Sequence, residues 1–243
     1  MISKVIFKKI IFNNIYDKNF KKYIVKKGLF VFPAGPALAS ISHSNEYYDS
    51  IKKADLVFFD SGFFVLLLKL FKNISVNKFS GYKFLNLFFN HLKKNKNKSV
   101  FCVDPNLKFS KSNKNLLKSL GVKKIHNYLA PNYKIKNFSD KKLLMKIKKA
   151  RPEFILTNIG GGKQEVLGLY LKKNLKIKTT ILCTGAAISF FTKDQAPINR
   201  FIDQFYLGWF VRLIFNPSVF LKRYLYSLRL IPMIFFNKVK IIN

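Results

Sequence analysis

Arg151-Pro152-Glu153-Phe154-Ile155-Leu156-Thr157-Asn158-Ile159-Gly160-Gly161-Gly162-Lys163-Gln164-Glu165 is the stretch whose reading decides the fold. After a helix-like run it continues as Ile181-Leu182-Cys183-Thr184-Gly185-Ala186-Ala187-Ile188-Ser189-Phe190-Phe191 and closes on Gln195-Ala196-Pro197. Two short apolar runs each end in glycine, and each is followed by residues able to open a helix. A strand–turn–helix unit used twice is how an α/β fold builds a ligand crevice at the carboxyl ends of its strands. The expected fold is α/β: a Rossmann-like, mostly parallel sheet with helices on both faces, plus a small C-terminal helical appendage.

Gly160, Gly161 and Gly162 lack a Cβ, so backbone can approach a ligand closely there and adopt positive φ. Amides behind such a turn, at a helix N-terminus, favour phosphate. The spacing is not that of the dinucleotide motif, and no acidic residue follows at its distance of about 20 residues. A bare turn closing a strand onto a helix fits equally well. Gln164 and Glu165 fall in the first turn of the following helix, where Glu165 complements the helix dipole. Thr184 and Gly185, at the end of the next strand, face the same crevice.

An ordered series of short features runs through most of the chain: Pro152-Glu153, the glycine turn running into Gln164-Glu165, Gly185-Ala186-Ala187, Ala196-Pro197, Leu207-Gly208-Trp209, Arg212 and Arg223-Tyr224. Together, from about residue 28 to 224, they resemble the WecG/TagA/CpsF family of bacterial glycosyltransferases. The resemblance implies transfer of a sugar from a UDP-sugar, with UDP-N-acetylmannosamine one candidate, to a polyprenyl-diphosphate-linked sugar during surface polysaccharide synthesis. It implies nucleotide or sugar contacts by Gln164, and arginines over the donor diphosphate at Arg212 and Arg223. No cofactor is implied. The sequence departs from the family at Phe32-Pro33-Ala34-Gly35-Pro36, where Thr-x-Asn is usual; Val219 stands where an arginine is common and Gly208 where a glutamate is common.

The 243 residues suffice for one α/β domain with a sizeable core. A hydrophobic content of 49% argues against disorder. With 45 Lys+Arg against 11 Asp+Glu the formal net charge is +34, which draws the chain to polyanions: nucleic acid, anionic lipid or phosphorylated substrate. Abundant Lys, Asn, Ile and Phe also point to compositional bias, under which many lysines are simply solvated. Cys102 and Cys183 sit inside apolar runs and read as buried small hydrophobes. His43, His91 and His126 have no partner at metal-ligand spacing, so no metal site is expected. No apolar run approaches the roughly 20 residues that span a bilayer, and no targeting segment is read, so a cytoplasmic chain is expected, peripheral at the inner face of the membrane.

In chain order, residues 5–7 and 10–12 read as edge strands. Residues 28–32 form a buried parallel strand, residues 37–53 are helical in period, and residues 54–60 make the next strand, giving a β-α-β unit. Asp60 ends that strand. Two roles fit it: cap of the helix at residues 63–71, or base taking the proton of an attacking hydroxyl at the crevice rim. Burial beside Phe58, Phe59 and Phe63 raises its pKa toward a useful value. The resemblance assigns the catalytic role, although Ser61 separates Asp60 from Gly62 where the family has Asp-Gly. Asp55 opens its strand at the far end of the sheet and is excluded. Asp104 reads as a turn former ahead of Pro105. Helices are expected at residues 84–92, 113–120 and 140–150, and a short strand at 122–128.

Beyond residue 199 the chain is basic and aromatic. Residues 201–215 are helical in period, Pro217 interrupts, and residues 219–230 resume with Lys222, Arg223 and Arg229 among large apolar side chains. Two helices lying in an anionic membrane interface suit this pattern, as does a helix pair packed on the core. The expected organisation is a glycosyltransferase core at 1–198 and a membrane-contacting appendage at 199–243. A homo-oligomer is compatible with the sequence. The alternatives are a nucleic-acid-binding protein, disfavoured by the lack of a recognition helix or RNP-like motif, and a nucleotide-dependent oxidoreductase using the glycines.

Overall fold

The computed structural model describes residues 3–194, 202–203 and 208–243. Among them nine strands form one sheet: β1 (Lys4–Phe7), β2 (Ile10–Asn13), β3 (Gly28–Val31), β4 (Leu56–Phe58), β5 (Ser99–Asp104), β6 (Lys124–Leu129), β7 (Phe154–Thr157), β8 (Thr180–Cys183) and β9 (Val239–Ile242). Their spatial order is β6-β5-β7-β8-β3-β4-β2-β1-β9. Every pairing from β6 through β2 is parallel, whereas β1 runs antiparallel to β2 and to β9. The expected α/β architecture with a mostly parallel sheet is the one observed.

Residue parity along each strand explains why helices cover both faces. Leu29, Val31, Val57, Phe101, Val103, Ile155, Ile181 and Cys183 belong to one buried cluster. Their strand neighbours Phe30, Leu56, Phe58, Val100, Cys102, Phe154, Leu156 and Leu182 belong to another. Alternate side chains leave a strand on opposite faces, so a continuous apolar run needs cover on both sides. The first face is covered by α2 (Gly35–Ala39), α3 (Asn45–Lys52), α4 (Gly62–Lys72), α7 (Lys141–Ala150) and α8 (Lys163–Asn174). The second is covered by α1 (Phe20–Ile24), α5 (Gly81–Lys94), α6 (Leu107–Ser119) and the 3-10 turn Gly185–Phe190. The helix expected over residues 113–120 begins at Leu107, capped by the Asn106 side chain, which accepts from the Phe109 amide at 3.1 Å.

α8 lies unusually close to the sheet. A Cβ at Gly168 would stand 2.6 Å from Leu29 Cδ1 and 2.8 Å from Cys183 Sγ. Gly168→Ala gains helix propensity but overpacks this contact, so the net change is a loss of about 1–2 kcal/mol. The urea midpoint falls with an unchanged slope; an unaltered or higher midpoint would show that the interface relaxes freely.

The C-terminal segment contributes α9 (Gly208–Phe215), α10 (Pro217–Ser227) and α11 (Leu230–Phe236), then β9. This ending is richer than the sequence suggests. Leu230 and Ile234 are fully buried, the Phe235 ring meets Phe71 of α4 edge-on at 5.5 Å, and β9 adds an edge strand beside β1. The Gln195-Ala196-Pro197 segment, the 198/199 boundary, the start of the expected 201–215 helix and Leu207 lie outside the described residues.

Candidate active site

Strand register places the candidate residues on one rim. Val31 of β3 pairs with Val57 of β4 and with Cys183 of β8, and Leu156 of β7 pairs with Leu182. All four strands are parallel, so Asn158, Thr184 and Asp60 follow their ends on the same edge of the sheet. β5 connects outward through α6 to β6, while β7 connects the opposite way through α8 to β8. The glycine turn after β7 therefore stands at a topological switch point, where α/β sheets open a crevice.

Asp60 does not cap α4. Ser61 does, its hydroxyl accepting from the Phe64 amide at 3.2 Å. Asp60 instead reaches across to the next helix, and its Oδ1 accepts from the Gly81 amide at 2.7 Å, in the first turn of α5. Burial pushes the Asp60 carboxyl above its ordinary range; the Gly81 amide, Lys78 and Arg212 oppose the shift and Asp203 adds to it. The result is a carboxylate held by one short bond, with a raised proton affinity, at the carboxyl edge of the sheet.

The glycine turn has room in front of it. A Cβ at Gly160 or Gly162 would meet nothing within 4 Å, and one at Gly161 would only touch Ala37 Cβ at 4.0 Å. Of the three, only Gly162 takes positive φ, at 90°. Its amide donates to Glu165 Oε2 at 2.7 Å, and Glu165 Oε1 accepts from Gln164 Nε2 at 3.0 Å. Burial raises the Glu165 pKa to about 7, against the pull of these hydrogen bonds and with a smaller push from Asp60.

Gly185, in the left-handed region at φ 57°, lies against the same amide: a Cβ there would stand 3.1 Å from Gln164 Nε2. Thr184 approaches Gly81, since a Cβ on that glycine would be 3.7 Å from Thr184 Cβ. A continuous wall thus runs from Asp60 through Gly81 and Thr184-Gly185 to Gln164 and Glu165. Among the described residues, the buried side-chain polar atoms without a hydrogen-bond partner include Tyr47 Oη, Gln164 Oε1, Thr184 Oγ1 and Arg212 Nε. Unsatisfied polar atoms are costly in a folded protein, and two of these groups, Tyr47 and Arg212, lie close enough to Asp60 to couple to it electrostatically.

Described parts of the C-terminal segment pack against this rim. Asp203 accepts from Lys78 Nζ at 2.8 Å and from Ser80 Oγ at 2.8 Å, fixing it beside the N-terminus of α5. Arg212 sits with its guanidinium carbon 4.7 Å from the Phe190 ring centre and 6.0 Å from that of Phe220, close enough to Asp60 to lower its pKa. Ser227 of α10 packs against Gly35, in the Pro33-Ala34-Gly35-Pro36 segment. Arg223 is exposed and stacks on Phe220 at 5.6 Å; it is not brought to Asp60.

Asp104 is more than a turn former. It is fully buried, and its carboxylate accepts from the side-chain amides of Asn113, Asn127 and Asn158 at 2.7, 2.9 and 2.7 Å. These bonds tie β5, β6, β7 and α6 together beneath the switch point. Among the described residues no group of three or more His, Cys, Asp or Glu is placed to hold a metal.

The model of the Glycosyl transferase WecG/TagA/CpsF family matches residues 7–241 of the 243. The chain belongs to that family. It is therefore a glycosyl transferase, and membership implies a role in cell-surface polysaccharide synthesis. A comparison with curated proteins gave no match. Among the described residues of this glycosyl transferase, no helix is long and apolar enough to cross a membrane.

Sequence reading alone missed four residues at the crevice. Tyr47 had only its helical period, which says nothing of Glu165 and Asp60, the carboxylates that its hydroxyl senses. Lys78 and Asp203 meet over 125 positions. Ser80 had a local signal, the Ser-Gly pair ahead of a helix, which marks an N-cap but not what the cap hydroxyl also binds.

Proposed function

We propose that this glycosyl transferase is inverting and moves a hexosyl group, N-acetylmannosamine being the leading candidate, from a UDP-sugar to a polyprenyl-diphosphate-linked sugar. The acceptor hydroxyl oxygen attacks the anomeric carbon, its proton passes to Asp60, and the bond from that carbon to the diphosphate oxygen breaks as UDP departs. The observation that carries this reading is the position of Asp60: a half-buried carboxylate of raised pKa on the rim of the crevice, with unpartnered polar atoms and a guanidinium in its surroundings. A base of raised pKa suits proton transfer near neutrality. Gly160, Gly161, Gly162, Gln164, Thr184 and Gly185 line the donor side; Arg212, seconded by Arg223, meets the charge of the leaving diphosphate. Glu165 acts on the donor through Gln164.

The helical part of residues 199–243 is the membrane-facing appendage on the 1–198 catalytic core. Phe215, Leu225 and Phe236 are 62%, 57% and 80% exposed, and Lys222, Arg223 and Arg229 stand among such side chains. Apolar groups for the interface and cations for anionic headgroups are what a peripheral protein at the inner face of the membrane needs. The test is a screen of UDP-sugars for turnover, with and without vesicles containing an anionic lipid. One UDP-sugar is consumed in preference to the others, and the protein sediments with the vesicles in a salt-sensitive manner. Failure to bind UDP or any UDP-sugar overturns the reading.

A further inference from the structure

The Gln164 amide has its two ends in different surroundings. Its nitrogen donates to Glu165 Oε1, while its oxygen is buried and without a partner. The orientation is not arbitrary. The other Glu165 oxygen already accepts from the Gly162 amide, and a carboxylate offers only acceptors, so the neighbouring amide must turn its NH2 inward. Gln164 is 3% exposed and Glu165 1% exposed. Gly185 lies against the same amide, leaving no room for a side chain between them. Glu165 also senses the Asp60 carboxylate, which sets this pair in the electrostatic neighbourhood of the proposed base.

We propose that Glu165 is a positioning residue: it turns the Gln164 amide so that an acceptor oxygen meets the donor sugar, selecting sugars that present an N–H or O–H at that point. The inference rests on the functional reading above. A sugar lacking that donor group leaves the Gln164 oxygen buried and unsatisfied, and sites built around one hydrogen bond reject such analogues strongly.

Glu165→Gln separates this role from simple capping of the turn. In E165Q the new side-chain oxygen still accepts from the Gly162 amide, so the turn survives. Its NH2 then faces Gln164 and claims the Gln164 oxygen, leaving an NH2 toward the sugar. The quantity to measure, by titration calorimetry, is the gain in affinity of a UDP-sugar over UDP alone, with UDP, UDP-glucose, UDP-N-acetylglucosamine and UDP-N-acetylmannosamine as probes. UDP affinity is retained in E165Q, while the gain for the best-bound UDP-sugar falls about tenfold or more. In the parent protein the gain also declines as pH falls through about 7, where Glu165 takes a proton and its O–H competes for the Gln164 oxygen. In E165Q this component of the decline is absent. The other titratable groups facing Glu165 are Tyr47 from α3, Asp60 after β4 and Cys183 from β8. Burial holds Tyr47 and Cys183 protonated across that window, and Asp60 is common to both proteins. An unchanged gain in E165Q overturns the positioning role alone. Absence of UDP binding in the parent protein overturns the functional reading with it.

Discussion

Asp60→Asn cuts transfer to a small remainder while leaving UDP bound. Removing a positioned general base lowers turnover by about 10²–10⁴-fold. The asparagine keeps an oxygen for the Gly81 amide, so the N-terminus of α5 remains anchored. It also removes a negative charge from the vicinity of Lys78 and Arg212, so diphosphate binding is unchanged or tighter. The pH profile supplies a second readout. The Asp60 carboxyl is raised, so the parent enzyme loses activity as pH falls through a value above the usual carboxylate range. That acid limb is absent from whatever activity the variant retains. Single-turnover kinetics with the UDP-sugar found by the screen measures both. Full turnover in Asp60→Asn removes the residue from its role.

Arg212→Ala produces the second large effect, through the leaving group. The guanidinium is held by the Phe190 and Phe220 rings rather than by a carboxylate salt bridge, and its Nε has no partner. That nitrogen is therefore not committed to the fold, while the guanidinium also lies beside the Tyr224 hydroxyl. Removing one preorganised group that meets developing charge costs about 10²–10³-fold in kcat. Arg212→Lys does not restore it, because an ammonium neither stacks on two rings nor offers a planar fork to a diphosphate. Arg212 lowers the Asp60 pKa, so its removal moves the acid limb of the pH profile upward as well. A variant with kcat unchanged and only KM raised has lost ground-state binding, and the leaving-group role fails. Arg223→Ala, an exposed position, serves as the milder comparison.

The legible and illegible parts of the site differ in how far apart their partners lie. Asp60, Thr184 and Gly185 end or follow apolar runs, and in a parallel sheet every strand end carrying a crossover points to one edge. Their common rim was readable before any coordinates. Whether Asp60 caps the following helix was not. Asp60 and Ser61 are both good caps, and the cap is Ser61, which bonds the Phe64 amide while Asp60 bonds Gly81, 21 positions on. Asp104 shows the same limit: next to Pro105 it reads as a turn former, yet its amide partners are spread from Asn113 to Asn158. β9 was hidden because Val239–Ile242 is short, carries a lysine and follows an apolar helix; it becomes a strand only because β1 offers an open edge.

The chain by itself determined the α/β class, the two-sided burial of the sheet and the common edge on which the candidate residues fall, because apolar runs, glycine stops and helical periods are local signals with fixed geometric consequences. Tertiary structure alone decided which side chains meet across that edge. The Gly81 bond to Asp60, the Asp203 tie to Lys78 and Ser80, the Arg212 stack and the Glu165–Gln164 orientation follow from packing in three dimensions; apart from that last, adjacent pair, their partners are far apart in sequence. Hydrogen bonds and charge effects act over a few ångströms of space, and no pattern in a linear sequence records that distance.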